Sequence, residues 1–414
     1  MSGKKAVWKA SILVVTLCCM LAFTPQARAA GIDALENNGR YAPLVDQLTS
    51  LLAGEQGTYG ICLVDLKTGA GLGINHLEVF HAASTFKLPM NLYLYEQVAA
   101  GLVDPLEKLT YLERDYEGGT GVLQHKPVGS QYDIATLSRY SIVYSDNVAT
   151  NMLLRRLGKA KVKDAMRGWG GLVVDDRQNI TCPQDMALYM YRLLEFADAH
   201  PAEGEILLNH LRNTVFNDRI PKLLPPGTRV AHKIGNWPPT GTYNDVGYVE
   251  HPRNPYILAV FSKQTPGVAQ AYRVIQRISR LVYDYQGRLV DVKVLSVDGE
   301  PAGEAVIPAF VDENNRTQVP LRLVAEALGA RVEWDADTGE ITVAGNKAVR
   351  LALGRNTCLV DGVEYVMDTA PVAHNGCTFV PLRFVAQVLG AEVDWEPGGR
   401  AVVVRLEQKE PNSK

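Results

Sequence analysis

Cysteine is scarce in this chain of 414 residues, and two of its six cysteines lie within the first thirty positions. No pair has the C-x-x-C spacing, which excludes the usual cysteine-based zinc motif. The four later cysteines are too few for a disulfide scaffold. Cys358 and Cys377 share a C-terminal segment, so two alternatives stay open: these two form a disulfide, or all four, with Cys62 and Cys182, are unpaired thiols.

Basic residues are not in excess either. The chain has 42 lysines and arginines against 45 aspartates and glutamates, which gives a formal net charge of −3. Nucleic-acid-binding proteins usually carry a strongly basic surface, so this balance argues against a nucleic acid as the partner. The apolar fraction of 47% is sufficient for large cores, and the length predicts two or three domains.

Long apolar runs are absent except near the N-terminus. Three lysines within residues 4–9 precede an apolar stretch at residues 10–23, and residues 27–29 have the A-x-A pattern of a cleavage site. The apolar stretch is about 14 residues long, whereas a membrane-spanning helix needs about 20. We therefore expect residues 1–29 to be a cleaved signal peptide rather than a retained anchor. The mature protein is then expected to be exported, without a transmembrane span.

Strand patterns lie at both ends of the first part of the chain, and a long helical zone separates them at residues 84–193. A final amphipathic helix is predicted at residues 268–285. This arrangement predicts an α+β domain with one mixed, mainly antiparallel sheet flanked by helices. The strand patterns are at residues 60–65, 71–75, 229–234, 245–250 and 257–262.

After Gly287 the pattern changes to short alternating strands, and an internal repeat begins. Residues 319–335 return as residues 380–396, with eleven of seventeen positions identical. Each copy is predicted to start a helix at its proline, to end it at a glycine and to continue into a strand. We expect a second, small α+β domain at residues 288–408. Its two equivalent tryptophans, Trp334 and Trp395, are predicted to lie in the core.

Residues 84–87 form an S-x-x-K element. If Ser84 begins a helix, the amine of Lys87 lies one turn further on the same face, within reach of the serine hydroxyl. A serine hydroxyl is a poor nucleophile until a neighbouring base takes its proton, and an amine with a lowered pKa can do this. On its own this motif is weak, because chance supplies about one or two matches in a chain this long.

Two further motifs raise its significance. Ser145-Asp146-Asn147 follows 61 residues later, and His232-Lys233-Ile234-Gly235 ends a predicted strand. A helix cap explains the former equally well, and an ordinary strand exit explains the latter. The order S-x-x-K, S-D-N and K-x-G is, however, the motif set of class A β-lactamases and penicillin-binding proteins.

On these motifs the chain resembles the class A β-lactamase-like serine hydrolases over residues 35–287. Four further segments resemble the same family: residues 65–69, 115–121, 181–187 and 244–247. The resemblance implies a β-lactamase/transpeptidase-like fold and a mechanism that needs no metal or cofactor.

The resemblance also implies a role for each site residue. Ser84 is expected to form an acyl-enzyme, Lys87 to take or relay its proton, and Ser145 to protonate the departing nitrogen. The implied substrate-binding residues are Asn147 for an acyl side-chain amide, Lys233 and Gly235 of the lysine motif, and Asn236, whose N–H forms the oxyanion hole with that of Ser84.

Two departures from the family pattern affect the expected activity. Ile234 stands where the family has a hydroxyl residue, which removes a hydrogen bond worth about 1.5–3 kcal/mol unless Thr240 or Thr242 replaces it. No glutamate occurs between Glu117 and Glu195. The family uses a loop glutamate for deacylation. The segment 168–181 is also too short for that loop, and its two aspartates, Asp175 and Asp176, are better explained as turn residues. Acylation is therefore expected and fast deacylation is not.

The repeats of the second domain resemble the copper amine oxidase N-terminal-like (stalk) domain. Copper itself is not expected, because His374 is the single histidine of residues 288–408. A spacer, a contact with the cell wall and an oligomerisation surface are the roles open to this domain.

Three functions therefore remain in competition. The first is slow hydrolysis of β-lactams, the second is peptidase activity on D-Ala-D-Ala stem peptides of peptidoglycan, and the third is a degenerate module that binds the cell wall. The missing glutamate favours the second over a fast β-lactamase. Retention of Ser84, Lys87, Ser145 and Asn147 disfavours the third. The overall resemblance to β-lactamases places the first narrowly ahead.

Overall fold

The computed structural model of the chain describes residues 39–295, 307–335, 338–395 and 401–406. The predicted signal peptide at residues 1–29 lies outside the described residues. Among the helices in the described ranges, none combines the length and the apolar character needed to cross a lipid bilayer.

The first part of the chain combines one main sheet with eight helices among its described residues. In chain order it contains α1 (Ala42–Ala53), β1 (Thr58–Asp65), β2 (Gly71–Ile74), β3 (Phe80–His81), α2 (Lys87–Ala99), β4 (Lys108–Thr110), β5 (Gln131–Asp133), α3 (Ile134–Val143), α4 (Asn147–Leu157), α5 (Lys159–Gly168), β6 (Ile180–Thr181), α6 (Pro183–Ala199), α7 (Pro201–Arg212), β7 (Val230–Trp237), β8 (Thr242–Val249), β9 (Tyr256–Lys263) and α8 (Val268–Arg288). The main sheet has the strand order β2-β1-β9-β8-β7, and all its neighbours are antiparallel. The predicted α+β class and mainly antiparallel sheet are confirmed.

Helices cover both faces of this sheet, which buries its central strands on both sides. Along β1, Ile61 and Leu63 join the core beneath α1 and α8, whereas Cys62 and Val64 join the core beneath the remaining helices. Two small ladders, β3 with β6 and β4 with β5, interrupt the helical zone predicted at residues 84–193. The sequence did not reveal them, because strands of two or three residues are too short to show an alternating pattern.

The second part of the chain begins where α8 passes directly into a strand. In chain order it contains β10 (Leu289–Leu295), β11 (Ile307–Val311), β12 (Thr317–Pro320), α9 (Leu321–Ala327), β13 (Arg331–Trp334), β14 (Glu340–Ala344), β15 (Ala348–Ala352), β16 (Thr357–Val360), β17 (Val363–Val366), β18 (Val372–His374), β19 (Cys377–Pro381), α10 (Leu382–Val388), β20 (Ala391–Trp395) and β21 (Ala401–Leu406). One sheet has the order β18-β19-β12-β11-β10-β21-β20, and a second has the order β13-β14-β15-β16-β17. Both sheets and both helices contribute to one apolar core.

The described residues of segments 319–335 and 380–396 share an order of elements. Each contains the end of a strand, a seven-residue helix and a further strand. In each helix the apolar stripe is buried, as Val324 and Val385 illustrate. After the helices the two segments diverge, because β13 joins the five-stranded sheet and β20 joins the seven-stranded sheet.

The predicted burial of the two repeat tryptophans is wrong. Trp334 is 49% exposed and Trp395 is 48% exposed. Each follows the expected alternation with a partly buried valine, Val332 or Val393. Each tryptophan also lies at the end of an edge strand, which has a neighbouring strand on one side only. The alternation of apolar and polar residues does not reveal that a strand lies at the edge of its sheet.

The disulfide alternative is also wrong. Cys62, Cys182, Cys358 and Cys377 are all free thiols, and the first three are buried. Burial raises the pKa of Cys182 to about 12, so this thiol stays protonated and unreactive at neutral pH.

The second part of the chain packs against α1 and α8 of the first part. Phe310 and Phe379 join the core cluster that contains Tyr285. The ring centroid of Phe310 lies 5.9 Å from that of Tyr285 and 5.4 Å from that of Phe379. Beside this cluster, Nη1 of Arg40 donates a hydrogen bond to Asp291 at 3.1 Å. The two parts therefore share a continuous apolar contact, on a side of the sheet remote from the helices α2 to α7.

Candidate active site

The predicted site residues meet at a cleft of about 470 Å³ between β7 and the helical layer. Two of the seven, Lys233 and Gly235, are on the same strand as Asn236 but do not line the cleft surface. The other five line it: Ser84, Lys87, Ser145, Asn147 and Asn236.

Ser84 lies on a short 3-10 turn, Ala83–Phe86, rather than at the start of an α-helix, which begins only at Lys87. Ala83 has a φ of 49°, in the left-handed region that non-glycine residues rarely occupy. The carbonyl of Ala83 accepts a hydrogen bond from Nδ2 of Asn179 at 3.0 Å, which fixes the turn from the opposite side. Ser84 is thus held by backbone geometry just before the start of α2.

Gly235 places β7 against this turn. A Cβ atom at this position would lie 2.8 Å from the carbonyl oxygen of Ala82 and 3.0 Å from the backbone nitrogens of Ser84 and Thr85. Such contacts are too short for a side chain, so glycine is needed for the close approach of the two backbones. The structure therefore gives Gly235 a positioning role that needs no contact with a substrate.

The amine of Lys87 is buried and held by the S-D-N motif. Nζ donates to the carbonyl of Ser145 at 2.6 Å and to Oδ1 of Asn147 at 2.7 Å. Among the described residues, no hydrogen bond joins this amine to the hydroxyl of Ser84. Burial lowers the pKa of Lys87 to about 7, although the charges of Asp146 and Glu117 act to raise it. The neutral form of this amine is therefore accessible near neutral pH.

The hydroxyl of Ser145 lies between two lysine amines. Nζ of Lys233 donates to its Oγ at 3.0 Å, and Nζ of Lys87 is 3.3 Å from the same atom. Burial lowers the pKa of Lys233 well below its usual value, and the nearby charge of Lys87 lowers it further. A hydroxyl between two amines can pass a proton from one side of the cleft to the other.

Asp146, the central residue of the S-D-N motif, has a structural role, as the helix-cap explanation predicts. One carboxylate oxygen accepts from the N–H of Ala149 at 2.9 Å and caps α4. The other accepts from the N–H groups of Val122 and Leu123 at 2.6 and 2.7 Å. These bonds fix residues 117–123, the glycine-rich loop, against α4. Nδ2 of Asn147 donates to the carbonyl of Gly118 in that loop at 2.9 Å.

Arg219 is a site residue that the sequence did not indicate. It is 0% exposed, and its Nη2 donates to Oδ1 of Asn236 at 2.7 Å. Its Nη1 donates to the carbonyl of Asn244 at 2.6 Å, and the guanidinium lies 4.2 Å from the ring centre of Tyr272. A cation below Asn236 favours a negative group in this part of the cleft. No motif marks Arg219, and only the folded structure shows that it is buried here.

The hydroxyl missing at Ile234 is not replaced from nearby. The hydroxyls of Thr240 and Thr242 bond to each other at 2.9 Å, and neither threonine lines the cleft. Ile234 itself lines it. Nζ of Lys233 also donates to the carbonyl of Ile234 at 3.1 Å. With isoleucine at position 234, strand β7 offers no hydroxyl side chain next to the charge of Lys233.

The loop that follows α5 brings no carboxylate to the cleft. Asp175 accepts from the N–H groups of Arg177 and Gln178 at 2.8 and 2.7 Å, as expected of a turn residue, and Asp176 pairs with Arg167. Among the described lining residues, Glu117 is the one carboxylate, and it accepts from Nδ2 of Asn151 at 2.9 Å. Neither Glu117 nor Lys163 of α5, which lines the same cleft, is marked by a motif in the sequence.

The second domain does not present the ligands of a copper site. Nδ1 of His374 bonds to Asp46 of α1 at 3.0 Å. Within the described parts of the chain, no group of three or more histidine, cysteine, aspartate or glutamate side chains is arranged to hold a metal ion. The donor set therefore does not fit copper, whatever the name of the family suggests.

Comparisons with known families match each part of the chain separately. The model described as Beta-lactamase enzyme family matches residues 43–286. The model described as Copper amine oxidase N-terminal domain matches residues 296–404.

Curated relatives are β-lactamases at low identity. The chain is 25% identical over 285 residues to "Extended-spectrum beta-lactamase PER-1" of Pseudomonas aeruginosa, which covers 61% of this chain and 91% of that protein. It is 28% identical over 251 residues to "Beta-lactamase" of Mycobacterium tuberculosis, which covers 55% of this chain and 79% of that protein.

Solved structures agree in fold. "Structure of PBP-A" is 30% identical with a TM-score of 0.56, and the match covers 58% of this chain and 95% of that one. A mutant of PBP-A, described as an acyl-enzyme complex with penicillin G, matches with a TM-score of 0.55 at 30% identity over the same shares. A β-lactamase from Sphaerobacter thermophilus is 27% identical with a TM-score of 0.55, over 60% of this chain and 98% of that one.

Proposed function

The chain belongs to the beta-lactamase enzyme family as a class A-like serine hydrolase, and from this premise we propose that it opens β-lactams through an acyl-enzyme on Ser84. The observation that carries the proposal is the pair of buried amines, Lys87 and Lys233, on either side of the Ser145 hydroxyl in the cleft that contains Ser84. A module that only binds cell-wall material has no need of such an arrangement.

Acylation begins with removal of the Ser84 proton. With a pKa of about 7, close to half of the Lys87 amines are neutral at pH 7 and can accept it. Lys87 has to exchange its hydrogen bond to Asn147 for one to Ser84, and catalytic hydrogen bonds often tighten only when substrate is bound. The lactam C–N bond then breaks, and the hydroxyl of Ser145 gives a proton to the departing nitrogen. Ser145 regains a proton from Lys87, which had taken it from Ser84.

The negative oxygen of the intermediate is stabilised by two backbone N–H groups, those of Ser84 and Asn236. The close approach of β7 to the turn that contains Ser84, which Gly235 permits, supports this assignment, because Asn236 directly follows Gly235 in the strand. The substrate carboxylate binds near Lys233, with the charge of Arg219 below Asn236 as a second attraction.

Deacylation is proposed to be slow. Hydrolysis of the acyl-enzyme needs a base for water, and the carboxylates of the loop after α5 are engaged in a turn and in an ion pair. Glu117 is engaged with Asn151. The acyl-enzyme is therefore expected to persist for longer than in an enzyme with a loop glutamate.

A second candidate is a D-Ala-D-Ala peptidase acting on peptidoglycan stem peptides, which β-lactams would inhibit. The absence of a loop carboxylate at the cleft favours it over a fast β-lactamase, because a β-lactam acyl-enzyme that lacks a base for water persists and blocks the site. The similarity to PBP-A is compatible with it.

Export supports either substrate class. We infer that residues 1–29 are removed on export, as the A-x-A pattern indicates, and that the second domain contacts the cell wall. The mass of the secreted protein tests the first point, since cleavage after Ala29 fixes its N-terminus. Co-sedimentation with purified peptidoglycan tests the second.

The decisive experiment mixes the chain lacking residues 1–29 with a chromogenic β-lactam and follows product release and intact protein mass. The Ser84→Ala variant is the control. Continuous turnover that disappears in the control supports the β-lactamase. A single burst with a persistent adduct on Ser84 supports the peptidase. Absence of both burst and adduct refutes β-lactam acylation and leaves the binding module.

A further inference from the structure

One buried amine in the cleft has no role in the acylation chemistry. Lys163, on α5, is 2% exposed, and its Nζ has no hydrogen-bond partner in the described structure. The amine lies 4.8 Å from the ring centre of Phe86, two residues after the nucleophile Ser84. Lys163 lines the cleft together with Ser84 and Lys87. The ring stabilises the charged amine but accepts no conventional hydrogen bond, and a buried amine without a hydrogen-bond partner is costly, so a partner that arrives with the reaction would relieve this cost.

Lys163 is the buried amine of the cleft that has no hydrogen-bond partner in the described structure. Its own helix contributes Arg167 and Lys159, of which Lys159 also lines the cleft but is exposed, and the following loop contributes Asp175 and Asp176, both engaged outside the cleft. Elsewhere in the cleft the titratable groups are engaged, as Lys87 is bonded to Ser145 and Asn147, and Glu117 to Asn151. The helix α4 contributes cleft residues that do not titrate: Asn147, Thr150, Asn151 and Leu154.

We propose that Lys163 is the base that activates water for hydrolysis of the acyl-enzyme. The inference rests on the proposed function, because it presupposes an acyl group on Ser84. The oxygen of the water attacks the acyl carbon while one of its protons passes to the neutral amine of Lys163. The ester bond to Oγ of Ser84 then breaks, and the proton held by Lys163 returns to Oγ, so that the acid product and the free enzyme with a neutral Lys163 result.

The electrostatics of the site agree with a lysine in this role. Burial lowers the pKa of Lys163 to about 8, with Lys159 and Arg167 acting in the same direction and the two loop aspartates opposing them. About one tenth of the amines are then neutral at pH 7, and about nine tenths at pH 9. Deacylation is thereby slow at neutral pH and increases in base, whereas a glutamate base would already be fully active at pH 7.

The experiment measures acylation and deacylation separately on the chain lacking residues 1–29. The protein is acylated with a chromogenic cephalosporin, excess reagent is removed, and loss of the adduct is followed by intact mass between pH 6 and 9.5. The deacylation rate is expected to rise about ten-fold from pH 7 to pH 9 and then to level off. Lys163→Met should slow deacylation at pH 9 at least about ten-fold while acylation continues.

Two further variants separate a base from a structural or purely electrostatic group. Lys163→Arg keeps the positive charge but cannot release its proton, so it should deacylate as slowly as Lys163→Met. Lys161→Met, an exposed lysine of the same helix that does not line the cleft, should behave as the unaltered chain.

Each outcome decides the matter. Normal deacylation in Lys163→Met, or recovery of the rate in Lys163→Arg, overturns the assignment. A deacylation rate that does not change between pH 7 and 9 in the unaltered chain overturns it as well, even if Lys163→Met does not fold. Absence of any adduct in the unaltered chain is a different failure, because it refutes the proposed function itself.

Discussion

Replacement of Gly235 by alanine tests whether the backbone of β7 positions the nucleophile. The added methyl group would lie 2.8 Å from the carbonyl oxygen of Ala82 and 3.0 Å from the nitrogens of Ser84 and Thr85, all of them backbone atoms that cannot rotate away. The strand and the turn must therefore separate by about half an ångström to reach ordinary contact distances. Overpacking of this kind costs about 1–3 kcal/mol of unfolding free energy.

The larger effect is expected on acylation. A displacement of about 1 Å at a reacting centre can lower a rate about 100-fold, so half that displacement predicts a loss of about ten-fold in adduct formation on Ser84. Intact mass after mixing with a β-lactam measures the rate, and urea unfolding measures stability. Gly54→Ala is the matched control, because the space around Gly54 is open and its φ is negative. Acylation within two-fold of the unaltered chain in Gly235→Ala would refute the positional argument.

Three further predictions concern the same cleft. The acylation rate should rise with pH and level off above a midpoint of about 7, because the neutral amine of Lys87 is the proposed active form and burial lowers its pKa to that value. A midpoint near pH 10 would contradict this role of Lys87. Asp146→Ala leaves three backbone N–H groups without their acceptor and should lower the free energy of unfolding, measured in urea, by at least about 3 kcal/mol. A loss below about 1 kcal/mol would contradict the assignment of Asp146 as a helix cap. Ile234→Thr restores the hydroxyl of the family motif and should lower the concentration for half-maximal acylation about ten-fold, whereas the control Ile234→Val should not; equal behaviour of the two would exclude a role for the hydroxyl.

The sequence was sufficient for the architecture of the first domain because its signals are periodic. The buried strands around β1 and β9 appear as apolar runs, and the helix at residues 268–288 shows one apolar stripe, which the structure buries. Elements of two or three residues carry no period, so β3 to β6 were not predicted. The error at Trp334 has a related cause, since alternation reports the face of a strand and not whether the strand lies at the edge of its sheet.

Within the candidate site, the sequence indicated those residues whose spacing is constrained by local structure. Ser84 and Lys87 are one turn apart, and Ser145 and Asn147 flank a helix cap, so each pair has a fixed separation. Arg219 and Lys163 reach the cleft through tertiary packing, from a loop and from a helix, and no fixed spacing relates them to the motifs. That a charged side chain far along the chain from the motifs is buried beside them can be recognised only when the fold is known.

The length of the connection after α5 determines what can activate water in this cleft. Only fourteen residues, 169–182, join α5 to α6, and Asp185 of α6 holds this connection by accepting from the N–H groups of Leu172 and Val173 at 2.9 and 2.7 Å. The loop reaches the cleft with Gln178 and Asn179, and the amide of Asn179 is used to hold the nucleophile turn. A loop this short brings polar amides to the cleft but no carboxylate. On the mechanism proposed above, the base for deacylation then comes from a helix, and Lys163 is the helical residue of the cleft whose amine is buried without a hydrogen-bond partner in the described structure.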